Sequence, residues 1–212
     1  MSVAPTALAE APPSKRARSV DRAAATHRSD ARLRQIFDGQ FGFVWRYLRR
    51  LGLPEADADD ATQQAFLVLS RRLDDVEAGK ERAFLCGTAL RLASEHRRKQ
   101  LRRREVGEEQ AGDLLADSSA RPEVDHERKR ARALLDRVLD AMDIELRSVF
   151  VLFELEELGS ADIAAALGLP VGTVASRLRR ARESFQAIVR RLRAAEEHAE
   201  RCHGDVSDGG TP

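Results

Sequence analysis

Residues 160–185 read SADIAAALGLPVGTVASRLRRARESF, a pattern that predicts two helices joined by a tight turn. Ser160 is a candidate N-cap of the first helix, because its hydroxyl can accept a hydrogen bond from a free backbone amide. Gly168 readily adopts the positive φ that ends a helix, and Pro170 suits the start of the next one. The segment therefore predicts a helix-turn-helix whose second helix is the candidate reader of DNA.

The second helix of this motif has two chemically different faces. Spacings of three and four predict one buried apolar stripe, made of Val171, Val174, Leu178, Ala181, Phe185, Ile188 and Leu192. Residues 172–193 also contain seven arginines and one glutamate, a local charge of +6. Small residues followed by arginines fit a major groove, where arginine can pair with guanine. The candidate DNA-contacting residues are Thr173, Ser176, Arg177, Arg179, Arg180 and Arg182.

The candidate DNA contacts differ in their place around this helix. Ser176, Arg179 and Arg180 lie opposite the apolar stripe and are predicted to reach base edges. Arg177 and Arg182 lie nearer its flanks, where phosphate is the expected partner. The stripe is also typical of an amphipathic bundle helix or a short coiled coil, and the turn residues favour the helix-turn-helix over both.

The charges of the chain are sorted into blocks although they nearly cancel overall. Lys plus Arg number 36 and Asp plus Glu number 35, a net charge of +1. Residues 91–104 carry seven basic side chains against one glutamate, and residues 105–127 carry eight acidic ones against one arginine. Two separated basic segments indicate two nucleic-acid contacts, with an acidic spacer that avoids phosphate.

The composition predicts an all-α protein, because Ala, Leu, Arg and Glu dominate and the alternation of β-strands is absent. No apolar run of roughly twenty residues and no signal-peptide pattern occurs, so we predict a cytoplasmic protein without membrane insertion. Cys86 and Cys202 suggest no disulfide framework. Glycine loops for phosphate, nucleophile elbows and paired-histidine helices are missing from the sequence, which predicts no catalytic residue, metal, cofactor or enzymatic activity.

Helical periodicity divides the chain into two small helical domains joined by a flexible acidic linker, the second domain containing the helix-turn-helix. The predicted order is a disordered tail at 1–30, a first domain at 31–104, the linker at 105–123, a second domain at 124–194 and a loose tail at 195–212. Helices are predicted near 32–51, 57–73, 80–103, 124–142 and 145–158. On the second of these helices, Ala61, Ala65, Val68 and Arg72 are predicted to share one face.

Three segments resemble an extracytoplasmic-function sigma factor, a compact branch of the bacterial sigma-70 family. EADADDATQQAFLVLSRRL (55–73) is similar to the family's acidic helix that docks on the clamp of core RNA polymerase. RAFLCGTALRLASEHRRKQLRRRE (82–105) resembles the helix and loop that open and read the minus-ten promoter element. ADIAAALGLPVGTVASRLRRARESF (161–185) is similar to the reader of the minus-thirty-five element. The resemblance spans residues 32–193.

The resemblance implies a role for each segment. It assigns polymerase docking to Asp59, Asp60, Gln63, Gln64 and Phe66, with Phe66 interpreted as an exposed aromatic. It assigns the minus-ten element to Phe84, Arg91, Arg97, Arg98, Lys99, Arg102, Arg103 and Arg104. Phe84 stands where the family often has Trp, and it fits a core position equally well. The implied partners are core RNA polymerase, promoter DNA and an anti-sigma factor, and we expect a monomer when the protein is free.

The chain departs from the family pattern at three places. Leu90-Arg91 replaces a common Arg-Asn pair in the minus-ten segment, and Ala175 replaces a basic residue in the reading helix. Met142-Asp143 replaces a common Leu-Pro, and Asp143 is a candidate substitute cap for the helix that follows.

Two other functions remain compatible with parts of the pattern. A dimeric operator-binding regulator would use the stripe at 171–192 as its dimer seam and bind a palindrome without polymerase. An interaction protein would occupy polymerase without reading a promoter, and its binding would survive loss of the arginines. A sigma factor accounts for both basic segments, the acidic linker and the docking helix together.

Overall fold

The computed structural model describes residues 15–105 and 124–204, with side chains described at 29–103, at 127–196 and at His198. Within these ranges the chain is helical, with no strand, which confirms the all-α prediction. The helices are α1 (Lys15–Arg50), α2 (Glu55–Arg71), α3 (Glu81–Glu105), α4 (Val124–Asp140), α5 (Ile144–Phe150), α6 (Ser160–Leu167) and α7 (Val171–Gly204). We call α1–α3 the first unit and α4–α7 the second unit. Residues 106–123, most of the predicted linker, lie outside the described residues.

The first unit is a three-helix cluster whose turns match the sequence signals. Gly52 follows α1 with φ +100°, and Pro54 precedes α2 as its N-cap residue. Such a positive φ is easily reached only by glycine. Fully buried side chains from all three helices meet in the core, among them Val44, Leu48, Ala65, Leu69, Leu85 and Ala89.

The start of α1 differs from the prediction. The helix begins at Lys15, so the predicted disordered tail is wrong for residues 15–30, and residues 1–14 lie outside the described range. An alanine-rich segment favours a helix, and Arg32 anchors the helix further along. The Arg32 guanidinium donates to the carbonyls of Leu73 at 3.1 Å and Val76 at 2.7 Å and pairs with Glu81 at 2.6 Å. Burial raises the pKa of Glu81, but the hydrogen bond from Arg32, the hydrogen bonds from the backbone amides of Glu81 and Gly79 and the charge of Arg32 together outweigh it, so the pKa lies below its ordinary value.

The buried face of α2 includes the predicted Ala61 and Ala65 but extends to Phe66. Ala61 and Ala65 are buried, but Arg72 is exposed, and Phe66 is only 5% exposed. The Phe66 ring packs 4.9 Å from Phe37 on α1, measured between ring centres. The interpretation of Phe66 as an exposed docking aromatic is therefore wrong. The aromatic side chains of α1 form the pocket that it fills, and periodicity within α2 alone could not locate that pocket.

The second unit is built on α5 and α7. Asp143 caps α5 by accepting hydrogen bonds from the amides of Glu145 at 2.9 Å and Leu146 at 3.3 Å, as predicted. Helix α5 continues as a π-helical segment, Val151–Leu155. The rings of Phe150 and Phe185 stack 4.8 Å apart between α5 and α7. This packing buries the apolar stripe of α7 from Val174 onward.

The helix-turn-helix forms where the sequence predicts it. Gly168 has φ +64°, and the amide of Leu169 donates to the carbonyl of Ala164 at 2.9 Å, which closes the turn. The predicted cap is wrong, because Gly159 occupies the N-cap position and Ser160 is the first helical residue. Extended backbone at Gly159 starts the helix without a side-chain hydrogen bond.

Helix α7 is longer than predicted. It runs to Gly204, so the predicted loose tail is wrong for residues 195–204, while residues 205–212 lie outside the described range. Ile188 is buried and Leu192 packs against the core, which extends the apolar contact beyond the helix-turn-helix. The two units themselves are in contact, since α6 lies against α3.

Candidate nucleic-acid interface

The first turns of α7 present the predicted reading residues on the outside of the second unit. Ser176, Arg179 and Arg180 are exposed, on the face opposite the buried Val174 and Leu178. Of the other predicted contacts, Thr173 and Arg177 are half-buried and Arg182 is exposed. The Ser176 hydroxyl donates to the carbonyl of Thr173 at 2.9 Å, so its oxygen remains free to accept a hydrogen bond from a base.

The structure divides the arginines of this helix into two groups. Three of them form ion pairs within the protein: Arg177 with Glu145 at 2.6 Å, Arg179 with Glu183 at 2.6 Å and Arg182 with Glu154 at 2.7 Å. The Arg182 guanidinium also lies 5.3 Å from the centre of the Phe153 ring. Arg180 forms no ion pair with any side chain that the structure describes. Among the four arginines in the first turns of α7, the one without an ion pair to a described side chain is therefore Arg180, on the outward face.

Val171 is a surface residue that the sequence reasoning placed in the buried stripe. Its side chain is 52% exposed at the start of α7. The apolar period is correct, but the first turn of the helix extends past the edge of the core. An exposed apolar side chain there can contact the methyl group of thymine. Its position directly after Pro170, at the start of the helix, is the sequence signal that could have indicated this exposure.

The cationic end of α3 is largely open. Arg98, Lys99, Arg102 and Arg103 are exposed, whereas the Arg104 side chain lies outside the described residues. Arg97 is half-buried and donates to the carbonyl of Met142 in the second unit at 3.1 Å. Of the predicted basic contacts in this segment, Arg97 is thus partly engaged by the protein itself.

The two remaining minus-ten candidates lie earlier on α3. Phe84 is half-buried against the core, and Arg91 is exposed about two turns further along the same face of α3. Both line a crevice of about 480 Å³ between α3, the end of α2 and the turn of the helix-turn-helix. The Phe84 ring therefore packs against the core and also borders the crevice, so both alternatives left open by the sequence apply to it.

Because Phe66 is buried, the exposed face of α2 differs in part from the predicted set of residues. Asp60, Gln63, Gln64 and Leu67 recur at helical spacing and are all exposed, with Leu67 57% exposed. We call these four residues the docking face. Asp59, beside it, accepts a hydrogen bond from the Trp45 indole at 2.7 Å and is thereby held in place. Leu67 is the exposed apolar residue that the sequence reasoning missed.

Comparisons with known proteins identify the family. The model of sigma-70 region 2 matches residues 41–103, and the model of sigma-70 region 4 matches residues 132–185. The chain is 31% identical over 145 residues to the ECF RNA polymerase sigma factor SigE of Mycolicibacterium smegmatis, covering 68% of this chain and 56% of SigE. It is 34% identical over 148 residues to the RNA polymerase sigma factor CnrH of Cupriavidus metallidurans, covering 66% of this chain and 78% of CnrH.

A solved structure has the same fold. The sigma factor RpoE of Bartonella quintana, determined in complex with the anti-sigma factor NepR, superposes with a TM-score of 0.60 over 74% of this chain and 96% of RpoE, at 18% identity. The chain belongs to the extracytoplasmic-function sigma factors of the sigma-70 family, proteins of promoter-specific transcription initiation. Among the described helices, none combines the length and the apolar character needed to cross a membrane.

Proposed function

We propose that this sigma factor contacts polymerase and promoter through three separate surfaces. The docking face on α2 binds core RNA polymerase. The first domain, residues 31–104, engages the minus-ten element through Phe84, Arg91 and the cationic end of α3. The second domain, residues 124–194, engages the minus-thirty-five element through the first turns of α7. The observation that carries the proposal is Arg180, which is exposed on the outward face of the helix-turn-helix and has no ion-pair partner among the described side chains.

In this proposal the chain acts by recognition and catalyses no reaction. It works in the cytoplasm and is a monomer when free. An anti-sigma factor is the proposed regulatory partner, supported by the RpoE fold observed with NepR.

Run-off transcription with core polymerase and genomic DNA tests the proposed function directly. Discrete transcripts that require this protein are the expected result. Binding to a palindrome without polymerase would instead indicate a dimeric operator-binding regulator. Core binding that yields no transcript, and that survives replacement of Arg179 and Arg180, would indicate an interaction protein that reads no promoter.

Changing the docking face is expected to weaken binding to core polymerase. Replacing Asp60 by Lys and Leu67 by Ala reverses one charge and removes one apolar side chain, neither of which the fold uses, since both side chains are exposed. We expect the dissociation constant to rise by about tenfold or more, roughly 1.4 kcal/mol. Titration of labelled core polymerase measures it, with circular dichroism to verify the helical content. Glu77→Lys, an exposed charge reversal away from this face, is the matched control, and equal affinity in both variants would contradict the assignment.

Neutralising the end of α3 is expected to weaken promoter binding without changing sequence preference. Arg102 and Arg103 are exposed and suited to phosphate, which carries no base information. Replacing both by Gln should lower the slope of log affinity against log salt by about 1.4–1.8, the value for two lost phosphate contacts. Holoenzyme titrations across salt concentrations measure the slope. Arg34→Gln, exposed on α1, serves as control; a loss confined to one promoter sequence would make Arg102 and Arg103 base readers.

A further inference from the structure

Helix α1 extends well beyond the core of the first unit. The helix spans 36 residues, Lys15–Arg50. Among its described side chains, Leu33 is the first apolar one that packs against the core. Residues 15–32, which precede it, span about 27 Å at 1.5 Å per residue. The match to sigma-70 region 2 begins only at residue 41, so this extension lies outside the segment that identifies the family.

Two contacts fix the face of α1 that lies against the first unit beside the extension. The Ser29 hydroxyl donates to the Asp74 carboxylate at 3.3 Å. The Arg32 guanidinium pairs with Glu81 at 2.6 Å and donates to the carbonyl of Val76 at 2.7 Å. These partners belong to the turn between α2 and α3 or to the first residue of α3. The face of α1 that carries Ser29 and Arg32 therefore lies along this turn.

The same face continues toward the start of α1 as a row of basic residues. Steps of three and four residues keep to one face of a helix, and from Arg32 they lead back through Ser29, Ala25, Arg22, Arg18 and Lys15. No acidic residue stands at any of these positions. We call Lys15, Arg18 and Arg22 the basic row. Asp74 and Glu81, the acidic side chains that this face meets, are already engaged by Ser29 and Arg32.

The composition of the extension favours a charged partner over an apolar one. Residues 15–28 contain five lysines and arginines and one aspartate, a local charge of +4. Val20 is their only apolar side chain larger than alanine. A helix that pairs with another helix needs an apolar face, which these residues lack. Clustered lysine and arginine without such a face fit the phosphate backbone of nucleic acid.

The extension leaves the first unit beside the beginning of α3. Glu81, the partner of Arg32, is the first residue of α3, and Phe84 follows within one turn. The cationic end of α3, at Arg102 and Arg103, lies about 30 Å further along that helix at 1.5 Å per residue. The proposed minus-ten surface on α3 therefore lies between two basic segments, one toward each end of the helix.

We propose that the basic row on α1 is an additional DNA contact, which binds the phosphate backbone of the DNA that flanks the minus-ten element on the Phe84 side. Its position beside that element rests on the proposed function, whereas its affinity for phosphate does not. Because phosphate carries no base information, the contact adds affinity for every promoter without changing which promoter is preferred. It also increases the salt dependence of binding, since each phosphate contact releases counterions.

Neutralising two positions of the basic row tests the contact. Arg18→Gln with Arg22→Gln removes two charges and keeps residues of good helix propensity. We expect the slope of log affinity against log salt to fall by about 1.4–1.8 for holoenzyme on promoter DNA, equally for all promoters. The free protein on a mixed-sequence duplex should show the same fall, which tests phosphate binding without polymerase or promoter.

Arg16→Gln with Arg34→Gln is the matched control. Arg16 and Arg34 are five helical turns apart, at register positions opposite the basic row, and Arg34 is exposed. The control removes the same charge from the same helix, and we expect it to leave the slope unchanged. Circular dichroism verifies the helical content of both double variants.

A cleavage reagent attached to the extension tests its position on the promoter. Ala25 stands in the register of the basic row, and Ala25→Cys carries an iron chelate that cuts nearby DNA. Cys202 is replaced by Ser, and the buried Cys86 stays unlabelled because burial raises its pKa to about 12. We expect holoenzyme to cut promoter DNA within about 10 base pairs of the minus-ten element, one turn of the double helix.

Each outcome confirms or overturns the contact. An unchanged slope in Arg18→Gln with Arg22→Gln, or an equal fall in the control, overturns it. Weaker binding to labelled core polymerase, with the slope of the free protein on the mixed-sequence duplex unchanged, overturns it in favour of a polymerase contact. Cuts far from the minus-ten element, or none, overturn its position. If the free protein shows the expected fall but the wild type yields no specific run-off transcript, the proposed function fails and the phosphate contact stands.

Discussion

Replacing Phe66 by alanine is expected to destabilise the first unit by about 3–5 kcal/mol, the usual cost of removing a large buried aromatic side chain. The Phe66 ring is 5% exposed and lies 4.9 Å from the ring of Phe37 and 6.1 Å from that of Phe41. Its loss leaves a cavity among aromatic side chains that α2 and α1 share. Urea unfolding followed by circular dichroism measures the change in the free energy of unfolding.

Leu67→Ala is the matched comparison for this prediction. The Leu67 side chain is 57% exposed, so its truncation should change stability by no more than about 0.5 kcal/mol. We thus expect Phe66→Ala to lower the free energy of unfolding and Leu67→Ala to lower the affinity for polymerase. A stable Phe66→Ala protein with selectively weakened polymerase binding would return Phe66 to the docking face.

Replacing Arg180 by alanine is expected to cost about 1–3 kcal/mol of promoter binding and to relax preference at one or two base pairs of the upstream element. Arg180 is exposed on the outward face of α7 and has no ion-pair partner among the described side chains. No ion pair with a described side chain must therefore break before its guanidinium meets a base. Holoenzyme is titrated at fixed salt against promoter variants that differ by single bases.

Arg182→Ala provides the control on the same helix. Arg182 pairs with Glu154 at 2.7 Å and lies against Phe153, at the flank of the helix where phosphate is the expected partner. Because phosphate carries no base information, its replacement should weaken binding to all promoter variants about equally. The stability of this variant is measured alongside, because it loses contacts within the second unit. A uniform loss for Arg180→Ala, with every base preference intact, would show that this face does not read sequence.

The sequence by itself determined the elements and their order. Gly52, Pro54, Gly168 and Pro170 are residues whose backbone preferences act locally, and the helices end and begin beside them. The apolar stripe of α7 and the Asp143 cap are likewise local, because they depend on spacing within a single helix. Local signals of this kind also carried the resemblance to the family.

Only the tertiary structure decided which side of α2 is buried and which arginines are available. Phe66 and Leu67 are adjacent and both apolar, and the aromatic side chains of α1 select the one that is buried. The sequence separates Arg180 from Arg177 and Arg182 only by their places around the helix, whereas the structure shows that acidic residues from other parts of the second unit pair with Arg177 and Arg182. The contacts of Ser29 and Arg32 with the turn between α2 and α3 likewise join residues far apart in the chain. Contacts of this kind depend on how helices pack in space, which no periodicity within one helix encodes.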